Sequence, residues 1–401
     1  MDALPPGRAA RLHASVADEL QHDGSASPDE LARHLWAARD LVGAAAVPAL
    51  VSAAEAASAV FALEQAEMHL RHALHLVRTD PDADPSTELS LLLSLFRLLV
   101  TGRGWGDTQV RAVADRALEL AQGGAYNDDT SRLWWTLFFF LLDRNEASYV
   151  NVADRLMDAI GESPSGEPLP GAGADPRVGH ASRAAVHMLS VFSALHTDDR
   201  KRARTHLRTA RSHVDAAPQA ELAAYDEHLH VMLLLIEGTW AALTGDQDGY
   251  RSAATAAVAL ADADGRPFPR GVARTLAAAI GPYLPDVPFA ADLARQSTDL
   301  NRRFGFAWLS SVGACVSVWA DALASRPSDN DVQANEAQLA DVRAAGRLGN
   351  EGLLLILLAD LYAAQERFDA AREALLRARA NPGPYQGLVV DVLDARLRDL
   401  A

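Results

Sequence analysis

The sequence predicts an all-α fold built from helical hairpins. Hydrophobic residues make up 49% of the 401 positions while aromatic residues make up only 6%, and alanine is abundant, a mixture that suits narrow contacts between helices better than sheet packing. Apolar residues recur at helical spacing along the chain, whereas the period-two alternation of strands is hard to find. At this length we expect two or more domains or an elongated array of repeats.

The clearest hairpin lies at residues 349–382, GNEGLLLILLADLYAAQERFDAAREALLRARANP. Its first helix carries large apolar residues at helical spacing, a break follows at Gln365 and Glu366, and the apolar spacing resumes in a second helix that Pro382 ends. Small residues at Ala359 and Ala371 allow close approach of the two helices. This order of large and small residues over about 34 positions is the tetratricopeptide pattern, and it predicts a tetratricopeptide-like α-solenoid.

The rest of the chain divides in the same way. Helices are expected at 9–20 and 29–41, the second capped by Ser27, with Pro28 in its first turn. The hairpin pattern appears again from Leu50. The apolar residues there have the same relative positions as the apolar residues of the 349–382 hairpin. Further helix pairs are predicted around a turn at Gly245 and in four longer segments: 87–122, 130–160, 268–302 and 303–345. Each hairpin needs a neighbour to cover its apolar face, so the pairs should stack.

The main break in the helical pattern is GESPSGEPLPGAGADP at residues 161–176, which contains four prolines and four glycines. Such a segment does not form a helix and is typical of a flexible surface connection. We therefore expect an N-terminal helical repeat half at 1–160 and a linker loop at 161–177. A C-terminal repeat half at 178–401 would end in the 349–382 hairpin and a capping helix.

Composition excludes several functions. The formal net charge of -16 repels nucleic acid, so we expect no direct nucleic acid binding by this chain. Lys201 is the only lysine and has no glycine near it, which excludes a P-loop. Cys315 is the only cysteine, which excludes disulfides within the chain and thiolate zinc sites; we expect it to be buried and inert.

We expect a soluble cytoplasmic protein that does not enter a membrane. The first residues, MDALPPGRAARLHASV, lack the continuous apolar segment of a secretory signal. The longest apolar run, Leu133 to Leu142, is too short to span a bilayer.

The sequence motifs of catalytic and metal-binding sites are also incomplete or missing. His69, His72 and His75 lie on one helical flank without a further ligand to complete a site, and a polar flank with Met68 facing inward is the preferred interpretation. Three acidic residues at 80, 82 and 84 resemble the start of a calcium loop, but the required Gly and closing Glu are missing. The aspartate pairs at 128–129 and 198–199 lack the second part of a DDxxD motif, and no GxSxG motif occurs. The sequence therefore predicts no catalytic residue, no metal site and no cofactor.

Two segments are candidates for ligand contact. The helix predicted at 130–143, TSRLWWTLFFFLLD, is apolar nearly all round; it is either buried on every side or lines a pocket for an apolar ligand. In tetratricopeptide arrays the first helix of each pair lines the concave face, and apolar residues occupy the positions next to the packing set. These predict a partner or effector groove formed by Met188, Phe192, Leu195, Met232, Leu235, Leu353 and Ile356. The alternative is that these side chains are buried between helices.

The order of features in residues 3–77 resembles a known family. ALPPGRAARLHASVADEL is followed by PDELARHLWAARD and then by ALVSAAEAASAVFALEQAEMHLRHALHLV. This resembles the stretch after the nucleotide-binding module in large ATP-dependent regulators of the LuxR type (STAND regulators), where a helical segment leads into tetratricopeptide-like repeats. The hairpin at 350–382 also looks like the end of that sensor region.

The resemblance implies a non-catalytic sensor or interaction module of a signal-responsive transcriptional regulator, which binds a partner protein or a small effector. Those regulators carry a P-loop NTPase before this region and a helix-turn-helix DNA reader after it. Neither is present here, so we expect both to be lost, supplied by another chain or located outside this sequence. Two alternatives remain open: a helical enzyme with an unrecognised pocket, and a free-standing tetratricopeptide scaffold unrelated to transcription.

Overall fold

The structure is a computed structural model that describes residues 6–24, 26–104, 107–121, 128–144, 148–167, 169, 178–284, 286–344, 346–383 and 385–400. All regular secondary structure in these ranges is helical, which confirms the predicted all-α class of helical hairpins. The helices form two compact units, one comprising residues 1–102 and 108–125 and the other residues 103–107 and 126–401. The division expected from the sequence, 1–160 and 178–401 joined by a linker at 161–177, stays a prediction; residues 168 and 170–177 of that linker lie outside the described ranges.

The first unit consists of short helices followed by longer ones. In chain order its described helices are α1 (Pro6–Asp23), α2 (Pro28–Ala37), α3 (Arg39–Val42), α4 (Val47–Ala59), α5 (Leu63–Thr79), α6 (Pro85–Arg103) and α7 (Thr108–Ala121), with a single 3-10 turn at Gly43–Ala46. α2 begins as predicted, because Oγ of Ser27 accepts a hydrogen bond from the amide of Glu30 at 3.2 Å. The helix expected at 29–41 is interrupted at Ala38, where α3 begins.

The predicted hairpin near Leu50 is formed by α4 and α5. These helices pack against each other, and α2 packs against α4. Four alanines on the facing sides are almost fully buried: Ala53, Ala57, Ala66 and Ala73. Because an alanine side chain is a single methyl group, the two backbones approach closely, as the pattern of small residues predicts.

The second unit is built from consecutive helix pairs. Its described helices are α8 (Asp128–Asp143), α9 (Ser148–Ala159), α10 (His180–His196), α11 (Arg200–Ala216), α12 (Gln219–Ala223), α13 (Leu229–Leu243), α14 (Gln247–Asp264), α15 (Pro267–Ile280), α16 (Val287–Phe304), α17 (Ala307–Ala324), α18 (Asp329–Ala344), α19 (Glu351–Ala364), α20 (Phe368–Ala380) and α21 (Gln386–Asp399), with 3-10 turns at Gly281–Tyr283 and Leu348–Asn350. Packed neighbours include α8 with α9, α10 with α11, α13 with α14, α15 with α16, α17 with α18 and α19 with α20.

The turns between paired helices lie where the sequence places them. α19 and α20 form the predicted hairpin within 349–382, and Glu366 in their connection has a φ of 63°. Gly245, between α13 and α14, has a φ of 81°, a conformation that L-residues with a side chain rarely adopt. Gly281 is required for another reason: a Cβ there would lie 2.4 Å from the Cβ of Ala290 in α16.

The last helix of the second unit returns to its earlier helices. α21 packs against α20 and also against α10 and α13. Nη2 of Arg200 donates a hydrogen bond to the carbonyl of Gly387 at 2.8 Å, and the same nitrogen lies 2.8 Å from the Asp391 carboxylate. The early and late helices of this unit therefore enclose a common interior.

Two described segments are long and apolar enough to cross a membrane by length and composition, Arg39–Ala59 and Ala307–Ala324. The second is α17, which packs against α15, α16, α18 and α19 and buries Trp308, Val316 and Trp319. The first contains α4, which packs against α2 and α5. The contacts of α17 on several sides are those of a core helix.

Candidate binding cavity

A cavity in the second unit is lined by the first helix of each pair. Its walls come from α8, α10, α13, α15, α17 and α19, and it is completed by the two 3-10 turns and by Tyr385 just before α21. The second helices of these pairs, such as α11 and α14, contribute no lining residue among those described. This is the arrangement expected of a tetratricopeptide array, where first helices form the inner surface.

The cavity contains about 870 Å³ of space between atoms, including the part that opens to solvent. Most of the lining is apolar: Phe139, Leu142, Phe192, Met232, Leu235, Ile236, Leu276, Ala279, Ile280, Trp308 and Leu353. Apolar walls of this kind are typical of small-molecule sites.

Three aromatic rings form one wall of the cavity. The rings of Phe139 and Phe192 are 5.8 Å apart and nearly perpendicular, and the rings of Phe192 and Tyr385 are 5.1 Å apart. Edge-to-face contacts at such distances are favourable because the positive ring edge meets the negative ring face. The wall is therefore held in place by its own ring contacts.

The only carboxylate on the described lining is Asp143, at the C-terminal end of α8. Its Oδ2 accepts a hydrogen bond from Nε of Arg347 at 2.9 Å, and its Oδ1 accepts one from Nδ2 of Asn350 at 2.8 Å. Burial raises the pKa of Asp143, and the positive charge of Arg347 offsets this only in part. Both oxygens are engaged, so Asp143 joins α8 to the chain that enters α19.

Hydroxyl groups supply the remaining polar atoms. Oγ1 of Thr239 donates a hydrogen bond to the carbonyl of Leu235 at 2.8 Å. Burial raises the pKa of Tyr283 to about 12 and also raises the pKa of Tyr385. Both phenols are therefore protonated at neutral pH, and the hydroxyl of Tyr385 forms a hydrogen bond with Thr239.

Four of the seven residues predicted to form a groove lie on the cavity wall: Phe192, Met232, Leu235 and Leu353. The other three are not part of the lining, namely Met188, Leu195 and Ile356. All seven side chains are buried, as the alternative of burial between helices predicts.

Sequence reasoning missed most of the aromatic and polar lining. Trp308, Tyr283 and Tyr385 come from parts of the chain to which no site was assigned. The segment 130–143 was a candidate, and Phe139, Leu142 and Asp143 from its second half do line the cavity. For Trp308 the usable signal was its position in a first helix, α17, whereas Tyr283 and Tyr385 lie outside the first helices.

The remaining candidate residues are held in packing or hydrogen-bond contacts with other protein groups. His69, expected on a polar flank, is buried and its Nε2 lies 3.0 Å from Oδ1 of Asp29, whereas Met68, expected to face inward, is 44% exposed. The prediction that Met68 faces inward is therefore wrong. His72 stacks on Trp36 with ring centroids 3.6 Å apart. Cys315 is buried, and burial raises its pKa to about 12, as expected of an inert thiol.

The groups that line the cavity are suited to binding a ligand rather than to transferring a proton. Apolar walls are suited to an apolar group, and the phenols of Tyr283 and Tyr385 are polar groups on the same lining. The carboxylate of Asp143 already accepts two hydrogen bonds from protein groups, so it is a poor acceptor of a proton from a substrate.

Comparison with known proteins gives limited information. No family model and no curated protein matches this chain. Among solved structures, a Rap protein complexed with Competence and Sporulation Factor is 10% identical, with 89% of this chain and 98% of that chain covered and a TM-score of 0.47. The tetratricopeptide domain of P58(IPK) is 11% identical, with 97% and 98% covered and a TM-score of 0.24. These values are too low to bear on function.

Proposed function

We propose that this chain is a non-catalytic helical-repeat sensor module whose cavity binds a small apolar effector. The observation that supports this is the cavity itself, which has mostly apolar walls and is lined by the first helices of consecutive pairs. Four residues proposed from the repeat pattern alone, Phe192, Met232, Leu235 and Leu353, lie on its wall. A partner protein that inserts an apolar side chain would use the same chemistry and is the alternative occupant.

The wider role we propose is that of the sensor region of a signal-responsive transcriptional regulator in the cytoplasm. This rests on the resemblance of residues 3–77 to the region that follows the NTPase in LuxR-type regulators. The neighbouring coding sequence tests it. An NTPase frame directly upstream or a DNA-binding frame directly downstream would support the regulator, and the absence of both would favour a free-standing scaffold.

An enzyme is the rival function, and Asp143 is the observation that favours it, because a buried carboxylate with a raised pKa in a cavity is a candidate acid or base. Against it, Arg347 and Asn350 occupy both carboxylate oxygens. Mass spectrometry of a bound effector after prolonged incubation separates the two functions, since an enzyme would alter it.

Ligand binding by the cavity can be tested with a substitution that fills the cavity. Ala279 is half-buried on the cavity wall, next to the last residue of α15. In Ala279→Phe a ring would occupy the space, so we expect the affinity for the neutral fluorophore N-phenyl-1-naphthylamine to fall about tenfold or more, because packed walls do not move aside easily. Fluorescence titration of the full chain measures this.

Ala363 provides the matched control. It is also half-buried and lies next to the last residue of a first helix, α19, but it is not part of the lining. Ala363→Phe should bind the fluorophore as the unaltered chain does. Displacement of the fluorophore by small apolar compounds but not by apolar peptides supports the effector, and the reverse supports a protein partner. Equal binding by both variants would contradict a ligand cavity.

A further inference from the structure

A second cluster of functional side chains lies away from the cavity, on the hairpin of α10 and α11. It contains Glu162, from the chain after α9, His187 of α10, and His206 and His213 of α11. His206 and His213 are seven residues apart, two helical turns, so both face the same side of α11. His187 and His206 are fully buried, while Glu162 and His213 are half-buried.

Hydrogen bonds determine where the protons of this cluster lie. Nε2 of His206 is 2.9 Å from the carbonyl oxygen of Pro164, which only accepts, so this nitrogen donates. Complete burial favours the neutral ring, in which Nδ1 of His206 is then an acceptor. Nδ1 of His187 lies 3.0 Å from it and must donate. In neutral His187 this leaves the lone pair on Nε2.

That lone pair points at a negative charge. Nε2 of His187 is 3.2 Å from Oε2 of Glu162, without the geometry of a hydrogen bond, and it is fully buried with no hydrogen-bond partner among the described residues. With His187 neutral, the lone pair and the carboxylate oxygen repel each other at this distance, and leaving a buried polar atom without a partner is costly. Either a second proton on His187, which makes the contact an ion pair, or a metal cation between the two atoms would satisfy both.

His213 supplies a third donor atom. One ring nitrogen of His213, one ring nitrogen of His187 and a carboxylate oxygen of Glu162 are candidate ligand atoms that all lie within 4.8 Å of one another. Nδ1 of His213 is 2.9 Å from Nδ1 of His180. When His213 donates in that contact, its Nε2 keeps a lone pair, so His180 would orient His213 as His206 orients His187.

We propose that Glu162, His187 and His213 bind one zinc ion. Two imidazoles and one carboxylate are a zinc ligand set, and ligand atoms of a tetrahedral zinc with bonds of about 2.1 Å are about 3.4 Å apart. The pair formed by His187 and Glu162, 3.2 Å apart, already has nearly this separation, and His213 needs to approach by up to about 1.4 Å. The fourth position is left to water, and the partial exposure of His213 and Glu162 provides an entry path.

One neighbouring charge opposes the ion. Nη1 of Arg183 is 3.4 Å from Oε1 of Glu162 and donates to the carbonyl of Ile160 at 3.2 Å. The guanidinium therefore engages Oε1 and leaves Oε2, the oxygen nearest His187, for the metal. The prediction of no metal site rested on ligands at a fixed spacing along the sequence. These three ligands come from separate segments and have no such spacing.

The test is zinc binding by the full chain after treatment with a chelator. Isothermal titration calorimetry with zinc chloride should give one site per chain, and the melting temperature should rise with zinc because the ion binds the folded state. Cobalt(II) at the same site should show the visible absorption of tetrahedral coordination. Glu162→Gln and His213→Gln should each weaken zinc binding about tenfold or more, as loss of a ligand requires.

His196→Gln is the matched control, because His196 is also on α10 but contacts Tyr149 rather than the cluster. It should bind zinc as the unaltered chain does. The proposal fails if the chelated chain takes up no zinc stoichiometrically, or if Glu162→Gln and His213→Gln bind it unchanged. If one variant does not fold, as judged by circular dichroism, the other decides, since Glu162 and His213 are both only half-buried.

Discussion

Glu88 shows how one carboxylate joins three helices of the first unit. It lies on α6 and is 8% exposed. It accepts hydrogen bonds from Arg116 of α7, at 3.1 and 3.2 Å, and from Arg78 of α5, at 2.9 Å. The hydrogen bonds from Arg116, followed by those from Arg78, lower the pKa of Glu88 despite its burial. The folded unit therefore prefers the ionised carboxylate more strongly than the unfolded chain does.

The pH dependence of stability follows from this preference. A carboxyl group with a lowered pKa stabilises the fold fully above its unfolded value, near 4.5, and this contribution is lost as pH falls through the lowered value. We expect Glu88→Gln to reduce the free energy of unfolding by about 1–3 kcal/mol at pH 7. The difference from the unaltered chain should shrink as the pH falls below 4.5.

Urea denaturation at a series of pH values measures both effects. Glu55→Gln is the control, since Glu55 is exposed on α4, and it should change stability by less than about 0.5 kcal/mol. A difference between Glu88→Gln and the unaltered chain that stays constant down to pH 3 would contradict the assigned role of Glu88.

Among the elements, α21 depends on a small set of polar contacts. Nη1 of Arg396 lies 2.7 Å from Oδ1 of Asp360 on α19, and Arg396 also donates to the carbonyl of Pro282. Nε1 of Trp319 on α17 donates to the other oxygen of Asp360 at 3.1 Å. Burial raises the pKa of Asp360, partly offset by Arg396. Asp360 is thus stabilised as a carboxylate mainly by a residue of α21.

Removing Arg396 should leave a half-buried carboxylate without its counter-charge. We expect Arg396→Met to lower the free energy of unfolding by about 1–3 kcal/mol, because a partly desolvated carboxylate that loses its charged partner costs more than removing both partners. Arg396→Met combined with Asp360→Leu should recover part of that loss. Arg398→Met, an exposed position on the same helix, should have little effect. A double variant less stable than Arg396→Met alone would disprove this account of α21.

The helices also differ in how well the sequence predicted their pairing and their exposed sides. The hairpins were predictable because helical spacing and turn residues are local properties, visible for α4 with α5 and for α19 with α20. The cavity was predictable only in part, because Trp308 and Tyr385 approach Phe192 through packing between distant segments. The predicted orientation of Met68 was wrong because the buried side of α5 includes its neighbour His69, which contacts Asp29 of α2 and whose polar ring gave no sign of burial in the sequence.

At the scale of the whole molecule, the chain forms two compact units that each bury their own apolar core. In the first unit the core includes Leu50, Leu70, Leu92 and Leu95, and in the second it includes Phe138, Leu229, Val316 and Leu358. A unit with its own core unfolds as a cooperative block with its own stability. We therefore do not expect a single two-state transition for the full chain.

Calorimetry of the two variants described above tests this expectation, because Glu88 belongs to the first unit and Arg396 to the second. The heat-capacity trace of the unaltered chain should contain two transitions. Glu88→Gln should lower the midpoint of one and Arg396→Met the midpoint of the other, each by several degrees, since about 1 kcal/mol shifts a domain of 150–250 residues by about 2–4 °C. The fluorophore that binds the cavity should raise only the transition that Arg396→Met lowers, because all lining residues belong to the second unit. A single transition that both variants shift equally would mean that the chain unfolds as one cooperative block.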